Sequence, residues 1–192
     1  LIFCDRNPVN TVLRGRDGLE VVIGRDGPFT PIGERLNPTN KPKLQRAYDS
    51  GDWAYVQRDA KRQVAAGARV IDVNTGDPHH DVERQKMQDA VKAVQEAVDV
   101  PISVDSYTVD VLLAGLEVAE GRPLVNSVPF EDEYMDELLP AIAERGAAMI
   151  GMSTKGGAAM PQTAEERVEN ARGLIEAAKE HGIKAEDIVI DP

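Results

Sequence analysis

The sequence predicts an α/β protein whose parallel sheet is built from six repeated strand–helix units. Six short segments rich in Val, Ile and Leu recur along the chain, and segments with helical periodicity lie between consecutive ones. Short loops join these segments, and parallel strands require crossovers of this kind. The pattern fits either a doubly wound sheet or a (β/α) barrel. A complete eight-unit barrel needs about 250 residues, so this chain of 192 residues would supply six strands of one.

The six strands are predicted to lie in chain order, each adjacent to the next. They fall near residues 30–34, 69–74, 101–105, 123–127, 147–152 and 188–191. Capping side chains and glycines just past the predicted ends place the helix boundaries. The predicted caps are Asp52, Asp81, Thr108 and Thr163, and the terminating glycines are Gly67, Gly146 and Gly182. Val168 is predicted to face the core, and the segment before Asp52, rich in Pro, Asn and Lys, is predicted as a loop.

Residues 1–28 are predicted to form an extension separate from a barrel domain at 29–192. The apolar run from Leu19 to Ile23 lies between two Asp-Gly pairs, a pattern typical of a β-hairpin. We expect this hairpin to cover one end of the barrel. The alternative is a tail that is disordered without a neighbour.

Composition excludes several classes of partner. The formal net charge of −11 and the pI near 4.8 argue against nucleic acid or an anionic membrane as the main partner. The single cysteine, Cys4, precludes an internal disulfide and is typical of a cytosolic protein. No apolar stretch reaches membrane-spanning length. We therefore expect a cytoplasmic location.

Polar side chains interrupt or end the predicted strands. They are Asp72, Asn74, Asp105, Asn126, Ser153 and Asp191. A carboxylate in a buried strand is costly unless something binds it, and ligands of parallel α/β folds bind at the carboxyl ends of the strands. The alternative is that these residues only start turns or cap helices. Because four of the strands end in a carboxylate or amide side chain, we expect one ligand site.

The residue types favour a flat, neutral, nitrogen-rich ring. A carboxylate accepts two parallel hydrogen bonds from a fork of N–H donors, such as the edge of an aminopyrimidinone, and an amide both donates and accepts there. No glycine-rich phosphate loop is present. His79 and His80 are adjacent and cannot both point into one site from a strand, so we expect no metal site. Cys4 has no evident histidine companion as a nucleophile.

Five motifs, in this order and spacing, resemble the pterin-binding domain of methyltetrahydrofolate:corrinoid methyltransferases. The same domain occurs in cobalamin-dependent methionine synthase. The resemblance covers about residues 29–192, and the motifs are Gly33-Glu34-Arg35-Leu36-Asn37, Asp72-Val73-Asn74-Thr75-Gly76, Val104-Asp105-Ser106, Val125-Asn126-Ser127 and Ile190-Asp191-Pro192.

The resemblance implies a TIM barrel with a pterin ring held at its C-terminal mouth. Asp105, Asn126 and Asp191 match the pterin-binding positions, and the supporting positions are Asp72, Asn74, Glu34, Asn37, Ser127 and Ser153. The implied reaction moves a methyl group between N5 of methyltetrahydrofolate and the cobalt of a corrinoid (cobalamin) on a partner protein or domain. The family activates N5 with an asparagine on a later strand, which we expect beyond Pro192. The catalytic residue is therefore unassigned.

Two further expectations concern assembly. We expect the native polypeptide to continue for two more strand–helix units, because six strands leave two unpaired edges that invite aggregation. Members of this family often form homodimers, so the resemblance also implies a homodimer.

Two alternatives remain open. Dihydropteroate synthase shares the barrel and the pterin-binding Asp and Asn positions, but its second-strand loop has the form Gly-Gly-Glu-Ser-Thr-Arg-Pro. The corresponding residues 75–80 here read Thr-Gly-Asp-Pro-His-His and match it poorly. The third interpretation is a pterin-binding module without catalytic activity.

Overall fold

The computed structural model describes residues 10–77, 79–155 and 160–192. Its main sheet has six parallel strands in chain order, each hydrogen-bonded to the next, as predicted. A separate antiparallel hairpin consists of β1 (Asn10–Arg14) and β2 (Glu20–Gly24). The strands of the sheet are β3 (Ile32–Leu36), β4 (Val70–Val73), β5 (Ile102–Asp105), β6 (Leu124–Phe130), β7 (Ala148–Lys155) and β8 (Ile188–Asp191).

Helices connect consecutive strands of the sheet. They are α1 (Pro42–Ser50), α2 (Trp53–Ala65), α3 (His80–Gln95), α4 (Val109–Val118), a π-helical turn (Tyr134–Leu138), α5 (Leu139–Arg145), α6 (Ala164–Glu180) and a 3₁₀ turn (Ala185–Asp187). The described helices include none that is both long and apolar enough to cross a membrane.

The predicted loop before Asp52 was wrong, because it contains α1. Leu44, Ala47 and Tyr48 of this helix are buried, at the i, i+3, i+4 spacing of an amphipathic face. Gly51 ends the helix in the left-handed conformation. Only one residue separates Gly51 from α2, so no loop sequence of any length marks the boundary between the two helices.

Two of the four predicted caps are confirmed. Asp52 accepts a hydrogen bond from the Tyr55 amide, and Thr163 forms a capping box with Glu166. Thr108 occupies the predicted N-cap position of α4, but its side chain makes no capping hydrogen bond. The predicted Asp81 cap was also wrong.

The Asp81 carboxyl instead lies in the first turn of α3, which begins at His80. A carboxylate there is still favoured by the positive end of the helix dipole. The inward placement of Val168 was wrong as well, since it is 49% exposed. Only Leu174 and Ala178 of α6 are fully buried.

The hairpin lies against the N-terminal ends of the sheet strands. Leu13 and Val21 form an apolar cluster with Val70, Leu124 and Ala148, which begin β4, β6 and β7. Burying apolar side chains at about 25 cal/mol per Å² is the main force holding this end closed.

Arg122 ties the hairpin to the sheet. Its amide and carbonyl pair with those of Arg14 at 2.8 and 3.0 Å. Its guanidinium forms an ion pair of 2.5 Å with Asp187 and donates to the Val12 carbonyl. Residues 1–9, which include Cys4, lie outside the described part of the chain.

Candidate functional site

Four polar side chains from three neighbouring strands meet at the C-terminal edge of the sheet. Asp72 lies in β4 and Asn74 directly follows it, while Asp105 and Asn126 are register partners on β5 and β6. Asn74 Nδ2 donates to Asp105 Oδ2 at 3.0 Å, and Asn126 Nδ2 donates to Asp72 Oδ1 at 3.1 Å. The result is two crossed carboxylate–amide pairs, each with one member at β4.

The two β4-side members lie deeper than their partners. Asp72 is 2% exposed and Asn74 is 6% exposed, whereas Asp105 and Asn126 are half-buried. One oxygen of Asp105 bonds to Asn74 and the Asn126 amide nitrogen bonds to Asp72. The other oxygen of Asp105 and the carbonyl oxygen of Asn126 are therefore available to a ligand. The outer members therefore offer acceptors to a ligand, and the inner members hold them.

The two carboxyl groups are unusually basic. Burial raises the pKa of Asp72 to about 7, and the neighbouring negative charge of Asp105 acts in the same direction. Burial also raises the pKa of Asp105, and the charge of Glu34 adds to this. Two adjacent carboxylates do not both ionise readily, so near neutrality the pair shares a proton.

A cavity of about 390 Å³ opens onto these groups. It is lined by Glu34, Asn37, Thr39, Lys41, Asp72, Asp105 and Asn126. Five of these seven residues were predicted from the sequence, and Thr39 and Lys41 were not. Both missed residues lie between β3 and α1, in the segment predicted as a plain loop. Their only sequence signal was proximity to a strand end.

Local packing at β3 brings Glu34 to the cavity. The register with β4 is irregular between Gly33 and Leu36, and the Arg35 amide donates to Gln63 Oε1 of α2 at 2.9 Å. A Cβ at Gly33 would lie 2.6 Å from the same oxygen, so a larger residue there would displace the Gln63 side chain. Arg35 then pairs with Asp59 at 3.5 Å on the helix side.

Lys41 contributes a positive charge to the cavity wall. Its ammonium group donates to the Asn37 carbonyl at 3.0 Å, and Asn37 Oδ1 accepts from the Thr39 amide at 3.0 Å. The loop is thus held by its own side chains next to the carboxyl pair.

Four predicted site residues do not line this cavity: Asn74, which donates to Asp105, and Asp191, Ser153 and Ser127. Asp191 is exposed at the end of β8, opposite Met152 of β7. Ser153 is 2% exposed, and Ser127 is half-buried beside Asn126. Their roles as ligand-binding residues stay predictions.

A larger groove of about 480 Å³ lies between α4 and α5 and lacks such convergence. Its lining is Leu113, Leu116, Glu117, Ala141, Glu144 and Arg145. These residues belong to the helical layer, away from the strand ends where ligands bind in parallel folds. In the described part of the chain, no group of three His, Cys, Asp or Glu side chains is arranged to hold a metal ion.

Solved structures with the same fold include three dihydropteroate synthases. The enzyme from Xanthomonas albilineans has a TM-score of 0.66 at 19% identity, over 95% of this chain and 65% of that one. The enzyme from Coxiella burnetii gives 0.65 at 18%, over 95% and 65%. The enzyme from Vibrio fischeri ES114 gives 0.66 at 20%, over 95% and 66%. At this identity the likeness shows the fold.

Sequence comparison is more specific. The chain is 35% identical over 163 residues to the methylcorrinoid:tetrahydrofolate methyltransferase of Eubacterium limosum, which covers 84% of this chain and 59% of that enzyme. The chain thus spans less than two thirds of the length of that relative. The family model described as "Pterin binding enzyme" matches residues 33–192. The chain belongs to this family of pterin-binding enzymes.

Proposed function

We propose that this protein transfers a methyl group between N5 of a tetrahydrofolate and the cobalt of a corrinoid carried by a partner protein or domain. The observation that carries the proposal is the pair of crossed carboxylate–amide contacts beside a 390 Å³ cavity. In this reaction the corrinoid supplies the metal chemistry as a substrate, and the barrel binds and orients the pterin.

The donor set supports a pterin ring. Asp105, ionised, accepts from the N–H fork of the aminopyrimidinone edge, and the Asn126 carbonyl oxygen accepts along the same edge. Charge-assisted hydrogen bonds of this kind are worth about 1.5–3 kcal/mol each. The cavity wall is polar enough to select such an edge over an apolar ring.

The reaction class is supported by sequence. The Eubacterium limosum relative is named for methyl transfer between a methylcorrinoid and tetrahydrofolate. Residues 75–80 also lack the synthase loop described above. Within this chain we assign binding and orientation to Asp105, Asn126 and Asp191, and we assign no side chain to activation of N5.

The proposed setting follows from the reaction. A corrinoid protein or domain would dock over the C-terminal mouth, where the pterin N5 must be accessible to cobalt. We also propose a homodimer and a cytoplasmic location, without a nucleic-acid or membrane partner. The acidic net charge of −11 supports the last two points.

The test measures methyl transfer in both directions. The protein is mixed with methylcobalamin and tetrahydrofolate, or with Co(I) cobalamin and methyltetrahydrofolate, and conversion is followed by absorbance. The Asp105→Asn variant should lose most of the rate of methyl transfer. The Asp59→Asn variant, which changes a carboxylate on α2 outside the cavity, should keep the wild-type rate.

Dihydropteroate synthesis is the second candidate, favoured by the shared fold of the three synthases. It would replace our proposal if the protein formed dihydropteroate from the pterin diphosphate and aminobenzoate and failed to move the methyl group. Pterin binding with neither activity would instead favour a non-catalytic module.

A further inference from the structure

We propose that Asp72 is a positioning residue that keeps its proton, so that Asp105 is the ionised member of the carboxyl pair and the Asn126 amide is held in one orientation. The inference deepens the proposed function and rests on it, since the ligand is taken to be a pterin. Asp72 acts through its neighbours, Asp105 and Asn126.

The orientation of Asn126 follows from its bond to Asp72. Nδ2 of Asn126 lies 3.1 Å from Asp72 Oδ1, which accepts its proton. The amide carbonyl therefore faces away from Asp72 and is free to accept from a ring N–H. Without an acceptor at Asp72, the two ends of the amide could exchange, and the site would lose its distinction between donor and acceptor.

The protonation of Asp72 follows from its surroundings. Burial and the charge of Asp105 on β5 raise the pKa of Asp72, while the charge of Glu34 on β3 acts on Asp105. Tyr48 on α1 donates its hydroxyl to the Leu36 carbonyl. Burial raises the pKa of Tyr48 far above its usual value, so that hydroxyl stays neutral.

Cations give Asp72 little compensation. Lys41, before α1, directs its ammonium group to the Asn37 carbonyl, and Arg35 pairs with Asp59 on the helix side. Within residues 10–77, 79–155 and 160–192, no ion pair includes Asp72. Burial and the charge of Asp105 raise the pKa of Asp72 to about 7, and they outweigh the Ser103 side chain and the hydrogen bond from Asn126, which favour its ionised form.

Ligand binding should strengthen this preference. A ring in the cavity displaces water from Asp105, and its N–H donors favour the ionised form of that carboxyl. With less water around the pair, a second negative charge on Asp72 is held less readily. The bound state therefore holds the Asp72 proton more tightly than the free state, and binding takes up protons at mildly alkaline pH. The dissociation constant should rise above about pH 7, approaching tenfold per pH unit for one linked proton.

The experiment measures this linkage by calorimetric titration with methyltetrahydrofolate at pH 6.5, 7.5 and 8.5. The affinity of the wild-type protein for methyltetrahydrofolate should fall by about tenfold or more from pH 6.5 to pH 8.5. Asp72→Asn mimics the protonated acid, because its carbonyl accepts from Asn126 and its NH₂ donates to Asp105. It should bind within about threefold of wild type at pH 6.5 and change little with pH. Asp59→Asn should keep the wild-type profile.

A second measurement keeps the proposal falsifiable if Asp72→Asn fails to fold. Titration of wild type at pH 7.5 in two buffers of different ionisation enthalpy reports proton uptake directly. Uptake of a fraction of a proton is expected for wild type and for Asp59→Asn. Any proton taken up by the ligand itself contributes equally to both proteins.

The outcomes separate this inference from the proposed function. Wild-type binding with no proton uptake, or an identical pH profile in Asp72→Asn, overturns the role of Asp72 and leaves pterin binding intact. Absence of binding at every pH overturns the pterin site itself, and the inference falls with it.

Discussion

The two ends of the sheet strands differ in chemistry over a distance of two residues. Val70 and Leu124 begin β4 and β6 and are fully buried against the hairpin. Asp72 and Asn126 lie two positions further on, on the same face of their strands, and hydrogen-bond each other beside the cavity. The lower layer is apolar and closed, and the upper layer is polar and open.

The comparison shows how one strand divides stability from binding. Apolar burial at the lower layer favours folding without any ligand. In the upper layer, burial disfavours the ionised form of the carboxyl groups, as their raised pKa values indicate, and this reduces the free energy of unfolding. Substitutions in the two layers should therefore have opposite signatures, and the predictions below test this contrast.

The largest effect is expected at the lower layer. Leu124→Ala should lower the free energy of unfolding by about 2–5 kcal/mol, because it removes a fully buried side chain and leaves a cavity. The fraction that folds should bind pterin as wild type does. Leu19→Ala, at a hairpin position that is 43% exposed, is the control and should cost far less. If urea denaturation showed the same loss of unfolding free energy for both variants, the contact between the hairpin and the sheet would not be a stabilising interface.

Asp105→Asn should show the reverse signature at the upper layer. Pterin affinity should fall by roughly ten- to a hundredfold, about 1.5–3 kcal/mol, because the charged acceptor is lost. The melting temperature should stay the same or rise, since a buried acidic group becomes neutral. Calorimetric titration and thermal melting measure the two quantities. A large loss of stability with unchanged affinity would make Asp105 a structural residue.

Asp72→Asn should change how stability depends on pH. The folded pKa of Asp72 is raised from 3.8 to about 7, so the folded state binds more protons than the unfolded state in that window. The stabilising contribution is complete below about pH 4 and is lost as pH rises through 7. At pH 8 the variant should therefore be more stable by about 1–3 kcal/mol. Urea melts of both proteins at pH 5 and 8 test it, and parallel curves would contradict the raised pKa.

The smallest effect is expected at the end of β8. Asp191→Asn should weaken pterin binding by about 1 kcal/mol and leave the melting temperature unchanged, because the side chain is exposed and contributes little to packing. An affinity identical to that of wild type would remove Asp191 from the site.

The sequence by itself determined the strand order, most helix boundaries and the residues of the crossed pairs. These features follow from local rules, since apolar periodicity selects strands and helices and a polar residue at a buried strand end stands out. Asp52 and Thr163 cap their helices for equally local reasons.

Only the tertiary structure decided how those residues meet. The pairing of Asp72 with Asn126 spans 54 positions, and Lys41 enters the cavity wall because α1 and β3 fold the loop toward it. The position of the hairpin under Val70 and Leu124 is likewise a long-range contact. The proton on Asp72 depends on burial and on the charge of Asp105, and both arise only when strands distant in the chain are brought side by side.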